Sequence, residues 1–144
     1  MPSERAETIR RFFDAFNRRD FESLVAEISD DAVVEEWVGM PGSETFRGRD
    51  GLRRAFEKWF ETWEWVEASP AGFAESGDAV LVTVDQRARG SASGAEVGLR
   101  SWCVYEFEGE SMVRLRIFTE HEAASAAWQE VGLEGANTIG EEKA

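Results

Sequence analysis

Leu52-Arg53-Arg54-Ala55-Phe56-Glu57-Lys58-Trp59-Phe60-Glu61-Thr62-Trp63-Glu64-Trp65-Val66 carries two hydrophobic periods in succession. Leu52, Ala55, Phe56, Trp59, Phe60 and Trp63 fall on one stripe of a 3.6-residue turn, which predicts an amphipathic helix. Asp50, just before the stripe, is a residue type that caps such a helix. From Trp65 onward the period shortens to two. A helix is therefore followed by strands, and the rest of the chain repeats that order.

Toward the N-terminus, Ile9, Phe12, Phe13 and Phe16 make a second helical stripe. Asn17 to Asp20 interrupts it, and Asp20 can cap a further helix carrying Phe21, Leu24, Val25 and Ile28. Asp30-Asp31 breaks that pattern, and Ala32 to Val38 reads as a first strand. Met40 to Gly48 holds Pro41, Gly42, Ser43 and Gly48, and is a loop by composition.

Toward the C-terminus, Val66 to Glu75 reads as a strand broken by Pro70, which a central ladder does not tolerate. Ser76-Gly77-Asp78 is a turn, and Ala79 to Arg89 alternates cleanly. Gly90 to Gly94 is a flexible connection, since no helical pattern follows it as a phosphate loop requires. Glu96 to Phe107 and Met112 to Thr119 are strands joined by a hairpin at Glu108-Gly109-Glu110. Glu122 to Val131 closes the domain as a short helix that Gly132 stops. The expectation is one domain over residues 1–135, with a flexible acidic tail at 136–144.

The 144 residues carry 29 acids against 16 bases, a formal net charge of −13. Such a surface repels phosphate backbones and anionic bilayers, so neither nucleic acid nor membrane is an expected partner. Cys103 is the only cysteine and His121 the only histidine, which excludes disulfide frameworks and Cys/His zinc patterns. No metal and no organic cofactor is expected. Met1 to Glu4 has no apolar leader, and no run approaches membrane-spanning length; the chain reads as soluble and cytoplasmic.

The late strands carry apolar residues on both faces: Trp102 and Val104 on one, Leu99, Cys103, Tyr105 and Phe107 on the other. In the last strand Val113, Leu115 and Ile117 oppose Arg114, Arg116 and Phe118. One face packs on the helices. The other needs a cover, and a homodimer through the outer sheet face is the simplest one.

Phe12-Phe13-Asp14-Ala15-Phe16-Asn17-Arg18-Arg19-Asp20, Asp30-Asp31-Ala32-Val33-Val34-Glu35-Glu36, Gly48-Arg49-Asp50-Gly51-Leu52 and Phe118-Thr119-Glu120-His121-Glu122-Ala123 occur in that order. Together they resemble the SnoaL-like branch of the nuclear transport factor 2-like superfamily, relatives of ketosteroid isomerase. The resemblance implies an α+β cone: a curved antiparallel sheet packed on three N-terminal helices, in a cystatin-like roll around a small-molecule pocket. It implies a cofactor-independent isomerase, cyclase or hydrolase acting on a small apolar molecule. It equally admits a non-catalytic ligand-binding or dimeric interaction module, because the fold does not choose between them.

Site residues follow from the same comparison. Counting from Asp20 to the general base of ketosteroid isomerase lands on Glu36, again a carboxylate. The positions matching that enzyme's oxyanion donors are Phe12 and Cys103; a phenyl ring has no donor and a thiol is a weak one. Steroid isomerisation by that route is therefore not expected. An inward Glu36 in an apolar pocket makes a good proton acceptor, whereas Glu35 would then point away. Arg114 and Arg116 share a face that the comparison turns into the cavity, where Arg116 would stabilise developing negative charge. His121, at the end of the last strand beside Glu120 and Glu122, is an acid/base candidate at the rim. Phe12, Phe16, Trp37, Phe56, Trp59, Cys103, Arg114 and Phe118 are the candidate lining. Asp85, Arg87 and Arg116 only loosely imitate the Asp-Arg-Asp set of the superfamily's epoxide hydrolases.

Overall fold

Ser3 starts the first helix by accepting the Ala6 amide on its hydroxyl at 3.0 Å, and Glu4 and Glu7 place negative charge at the positive end of the helix dipole. The computed structural model describes residues 3–131, so the tail expected at 136–144 lies outside the described residues. Helix α1 spans Glu4–Asn17 and buries Ile9, Phe12 and Phe13. The chain then reverses through Arg19, whose φ of 57° is in the left-handed region. Asp20 caps α2 (Phe21–Val25), accepting from the Ser23 amide and hydroxyl. This helix is shorter than its stripe predicts, because Ile28 already belongs to strand β1 (Ile28–Glu35).

Strand β2 (Thr45–Arg47) lies inside the stretch read as loop; three residues are too few to show alternation. Helix α3 (Gly48–Thr62) begins earlier than the Asp50 cap predicts, with Asp50 in its first turn and no side-chain cap. Gly48 opens it at φ 71°, and a Cβ there would stand 3.2 Å from the Asp30 carbonyl oxygen. Both the conformation and the close approach require glycine.

Strands β3 (Trp63–Ser76), β4 (Ala79–Gly90), β5 (Glu96–Glu108) and β6 (Ser111–Phe118) follow as a meander, and residues 121–131 form the closing helix. The sheet is curved and unclosed, in the order β2-β1-β6-β5-β4-β3. All pairings are antiparallel except β1 with β6, which is parallel. Pro70 does not break β3: that strand lies at the sheet edge, and a register shift between Pro70 and Gly72 absorbs the missing donor.

The helices cover one face of the sheet. Ile9, Phe12, Phe13, Leu24, Leu52 and Phe56 meet Val80, Val82, Tyr105, Phe107 and Leu115 there. A second, smaller cluster lies on the opposite face, where Leu81, Val104 and Phe118 pack under Ala124, Ala127 and Trp128 of the closing helix. The chain thus covers part of its own outer face, the part for which the sequence reading invoked a second copy.

Candidate active site

An aromatic and aliphatic cavity of about 420 Å³ lies between the helices and the sheet. Phe12, Phe13 and Phe16 of α1, Trp59 of α3, and Val84, Leu115 and Ile117 of the sheet form its apolar walls. Trp37, Met40, Pro41, Gly42 and Ser43 form a rim in the loop after β1. Trp37 holds φ at 46°, a conformation disfavoured for a bulky residue, at the point where the chain leaves β1.

The polar centre is Glu36, whose residue is only 2% exposed. Strand parity puts it there: Val34 is buried on the inner face, so Glu36 points inward while Glu35 points out. Two consecutive residues of α3 hold the carboxylate. Lys58 Nζ donates to Oε1 at 2.6 Å, and Trp59 Nε1 donates to Oε2 at 2.7 Å. Both groups are pure donors, so this geometry suits the ionised carboxylate. A carboxylate has about four lone-pair positions, and the two partners leave acceptor capacity for a ligand. Lys58 also donates to Glu44 at 2.8 Å, and the Glu36 amide donates to the Glu44 carbonyl. The two ends of the rim loop are thereby tied together and to α3. The hydrogen bonds to Glu36, then to Glu44, raise the pKa of Lys58 above its ordinary value, which keeps it an ammonium.

Across the cavity, strand β5 turns Ser101, Cys103 and Tyr105 to the same side. Burial pushes the Cys103 thiol up to about 12, so it is a thiol and not a thiolate nucleophile. Burial, and secondarily Cys103, pushes the Tyr105 hydroxyl well above its ordinary value.

Of the residues proposed from sequence, Glu36, Phe12, Phe16, Trp37, Trp59 and Cys103 line this cavity. Phe56 is buried one layer behind, its ring against Phe16 and Trp59 at 5.5 and 5.2 Å. Arg114, Arg116 and Phe118 are on the other face of the sheet, which overturns the expectation that the two arginines enter the pocket. The register explains it: Leu115 and Ile117 pair with Tyr105 and Cys103 on the inner face, so their neighbours alternate outward. There Arg114 meets Glu35 at 2.7 Å, and Glu106 receives both Arg114 and Arg116. Phe118 belongs to the cluster under the closing helix. His121 is exposed outside the cavity, its ring 5.7 Å from that of Trp102. Asp85 is engaged by Arg100 at 2.7 Å and is not part of any set with Arg116.

Lys58, Ser101 and Tyr105 were not identified from sequence. Lys58 is off the apolar stripe, and only its long side chain brings it to Glu36. Tyr105 had a signal: it shares the parity of Cys103, which was already placed at the pocket. Among the described residues no group of three or more His, Cys, Asp or Glu side chains could hold a metal ion. Among them, too, no helix is long and apolar enough to cross a membrane.

Helices laid into a curved sheet around an apolar cavity with an inner carboxylate define a cone-shaped α+β pocket domain. The chain belongs to the SnoaL-like domain family, whose model matches residues 9–115. Its fold is shared with a nuclear transport factor 2-like protein of unknown function from Burkholderia pseudomallei, at a TM-score of 0.73 and 25% identity over 83% of this chain and 92% of that one. TerC, co-crystallised with polyporic acid, has a TM-score of 0.74 at 20% identity, over 89% of this chain and 99% of that one. SalBIII, an epoxide hydrolase/cyclase-like enzyme of pyran ring formation in the polyether salinomycin, has a TM-score of 0.70 at 19% identity, over 82% of this chain and 92% of that one. A search of the curated proteins finds no match.

Proposed function

We propose that this protein is a cofactor-independent acid/base enzyme, an isomerase, cyclase or hydrolase, acting on a small and largely apolar molecule. The observation that carries the reading is a buried carboxylate, Glu36, in the wall of an otherwise apolar cavity. In this mechanism Glu36 takes a proton from the substrate on a lone pair that Lys58 and Trp59 leave free, holds it, and returns it. Lys58 and Trp59 orient the carboxylate, and the aromatic walls exclude water from it. The arginine expected to stabilise negative charge has no part, because Arg116 is on the other face.

Exchange of the acidic C–H protons of a panel of cyclic and aryl ketones in deuterated water, followed by NMR, tests this. The protein is expected to accelerate exchange of at least one of them, and Glu36→Gln to lose about 10²–10⁴-fold of that acceleration. Equal exchange by the two proteins would remove Glu36 from the reaction.

A second reading is a ligand-binding module without chemistry. It is favoured by the ion pair that already occupies Glu36. In that case the panel binds without exchange. A homodimer through the outer sheet face belongs to either reading. It would use strands that the closing helix leaves bare, around the exposed Asp85–Arg100 pair. Light scattering at micromolar concentration decides it, a monomer being the contrary result. A cytoplasmic location fits a chain with one free, buried cysteine.

A further inference from the structure

Tyr105 is the one tyrosine of the sequence, and it is 1% exposed. Its ring is fixed edge-on against Phe12 and Phe13, with centroids 5.9 and 6.4 Å away. Yet it lines the cavity, and no hydrogen bond joins its hydroxyl to another of the described residues. Buried tyrosines normally satisfy that hydroxyl.

The register places this donor relative to Glu36. Glu35 pairs with Arg116, so Glu36 is level with Ile117, and Ile117 pairs with Cys103. Tyr105 is therefore two strands across from Glu36 and two residues further along. Strand spacing and rise make that roughly 12 Å between the two backbones. Both side chains reach into the space between, which leaves room for a molecule of two or three fused rings. Ser101, 2% exposed, is on the same face of β5 on the other side of Cys103, toward the half-exposed Leu99. Tyr105 accordingly marks the inner end of the cavity.

Resting on the reading of this cavity as the ligand site, we infer that the Tyr105 hydroxyl is a specificity-determining donor, and that the ligand presents an uncharged acceptor oxygen, a carbonyl, to it. Burial keeps the phenol protonated, so it donates across the working pH range. An anionic oxygen is excluded by charge. The cavity already holds the Glu36 carboxylate, and the lysine beside it is shared between Glu36 and Glu44. A second buried anion would have no cation of its own.

The probes are acetylnaphthalene, its isopropenyl isostere in which a methylene replaces the carbonyl oxygen, and naphthoate. The protein is expected to bind the ketone about tenfold more tightly than the isostere, the size of one good hydrogen bond. Naphthoate should bind more weakly than the ketone. The carbonyl stretch of the bound ketone should move to lower wavenumber. In Tyr105→Phe the ketone and the isostere should bind equally, with the isostere's affinity unchanged. Equal binding of the two by the wild-type protein, or a gap that survives in Tyr105→Phe, overturns the inference and leaves the cavity reading standing. Binding of none of the probes overturns both. If Tyr105→Phe does not fold, the infrared shift in the wild-type protein decides alone, and an unshifted carbonyl refutes it.

Discussion

The indole of Trp59 donates to Glu36 Oε2 at 2.7 Å, from the residue next to the lysine that holds the other oxygen. One turn of α3 thus supplies both partners of the buried carboxylate. Replacing Trp59 by Phe keeps the ring's packing against Phe16 and Phe56 and removes only the donor. A hydrogen bond to a charged group contributes about 1.5–3 kcal/mol, and the cavity lets water replace part of it. The expected loss for Trp59→Phe is about 1.5 kcal/mol, read from the urea midpoint at unchanged slope.

Lys58 has the larger effect on the rim. Its side chain is 43% exposed, so water compensates some of its removal. Lys58→Met should destabilise by about 2 kcal/mol, below the 3–5 of a fully buried pair broken on one side. Combining it with Glu36→Gln should recover at least about 1 kcal/mol of that loss, since the charge left unpaired is then gone. The same replacement frees Glu44, and backbone amides of residues 37–43 should exchange with solvent faster than in the wild-type protein. Additive losses and unchanged exchange would contradict the two-ended tie.

Asn17 ends α1 and fastens it to the sheet edge. Its side-chain amide donates to the Ala68 carbonyl and its oxygen accepts the Ala68 amide, both at 2.8 Å. This ring of two hydrogen bonds stands just before the register shift at Pro70 in β3. Asn17→Ala should lose about 1–2 kcal/mol in urea unfolding, and NMR should show the changed amide shifts concentrated near Ala68.

Alkali should unfold the protein through its one tyrosine and one cysteine. Both groups are neutral when protonated, and burial raises both in the folded state. The unfolded chain releases these protons near their ordinary values of 9.0 and 10.0, whereas the folded chain keeps them. Above those values the unfolded state binds fewer protons, so stability is fully present below them and falls as pH rises toward the folded values. Tyrosinate absorbance should therefore appear together with the loss of far-ultraviolet circular dichroism. Tyrosinate forming while the fold is intact would show an open Tyr105.

The elements of this fold were legible wherever hydrophobic periodicity ran long. The stripes of α1 and α3 and the alternation of β4 and β5 stand out, and the turns at Gly77-Asp78 and Gly109-Glu110 have the glycines they need. Thr45–Arg47 was not legible, because three residues carry no period. The length of β3 was hidden by Pro70, which reads as a break unless the strand is known to be an edge. Asp50 looked like a cap because nothing in sequence shows that Gly48 can open the helix under Asp30.

The site was legible to the extent that parity could be followed within one strand. Glu36 inward and Glu35 outward follow from Val34 alone. Arg114 and Arg116 required parity to be carried from strand to strand, and the apolar run Val82, Cys103, Ile117 was the available guide. Following the enzyme comparison instead turned β6 over. Lys58 was illegible, since its role depends on where a flexible chain of methylenes ends and not on where its Cα is.

The parallel pairing of β1 with β6 has a consequence for how the cavity comes into being. Strands β3 to β6 pair with their sequence neighbours, so that meander can form from local contacts. The inner wall is completed when β1 pairs with β6, a pairing fastened on the outer face by Glu35 and Arg114, 79 positions apart. Loop closure over such a distance makes it the slow, late part of folding. Until it closes, one edge of β6 is unpaired, Glu36 has no wall facing it, and the chain is at its most prone to aggregate. A nascent chain therefore acquires its cavity last, only after nearly all of the domain has been synthesised.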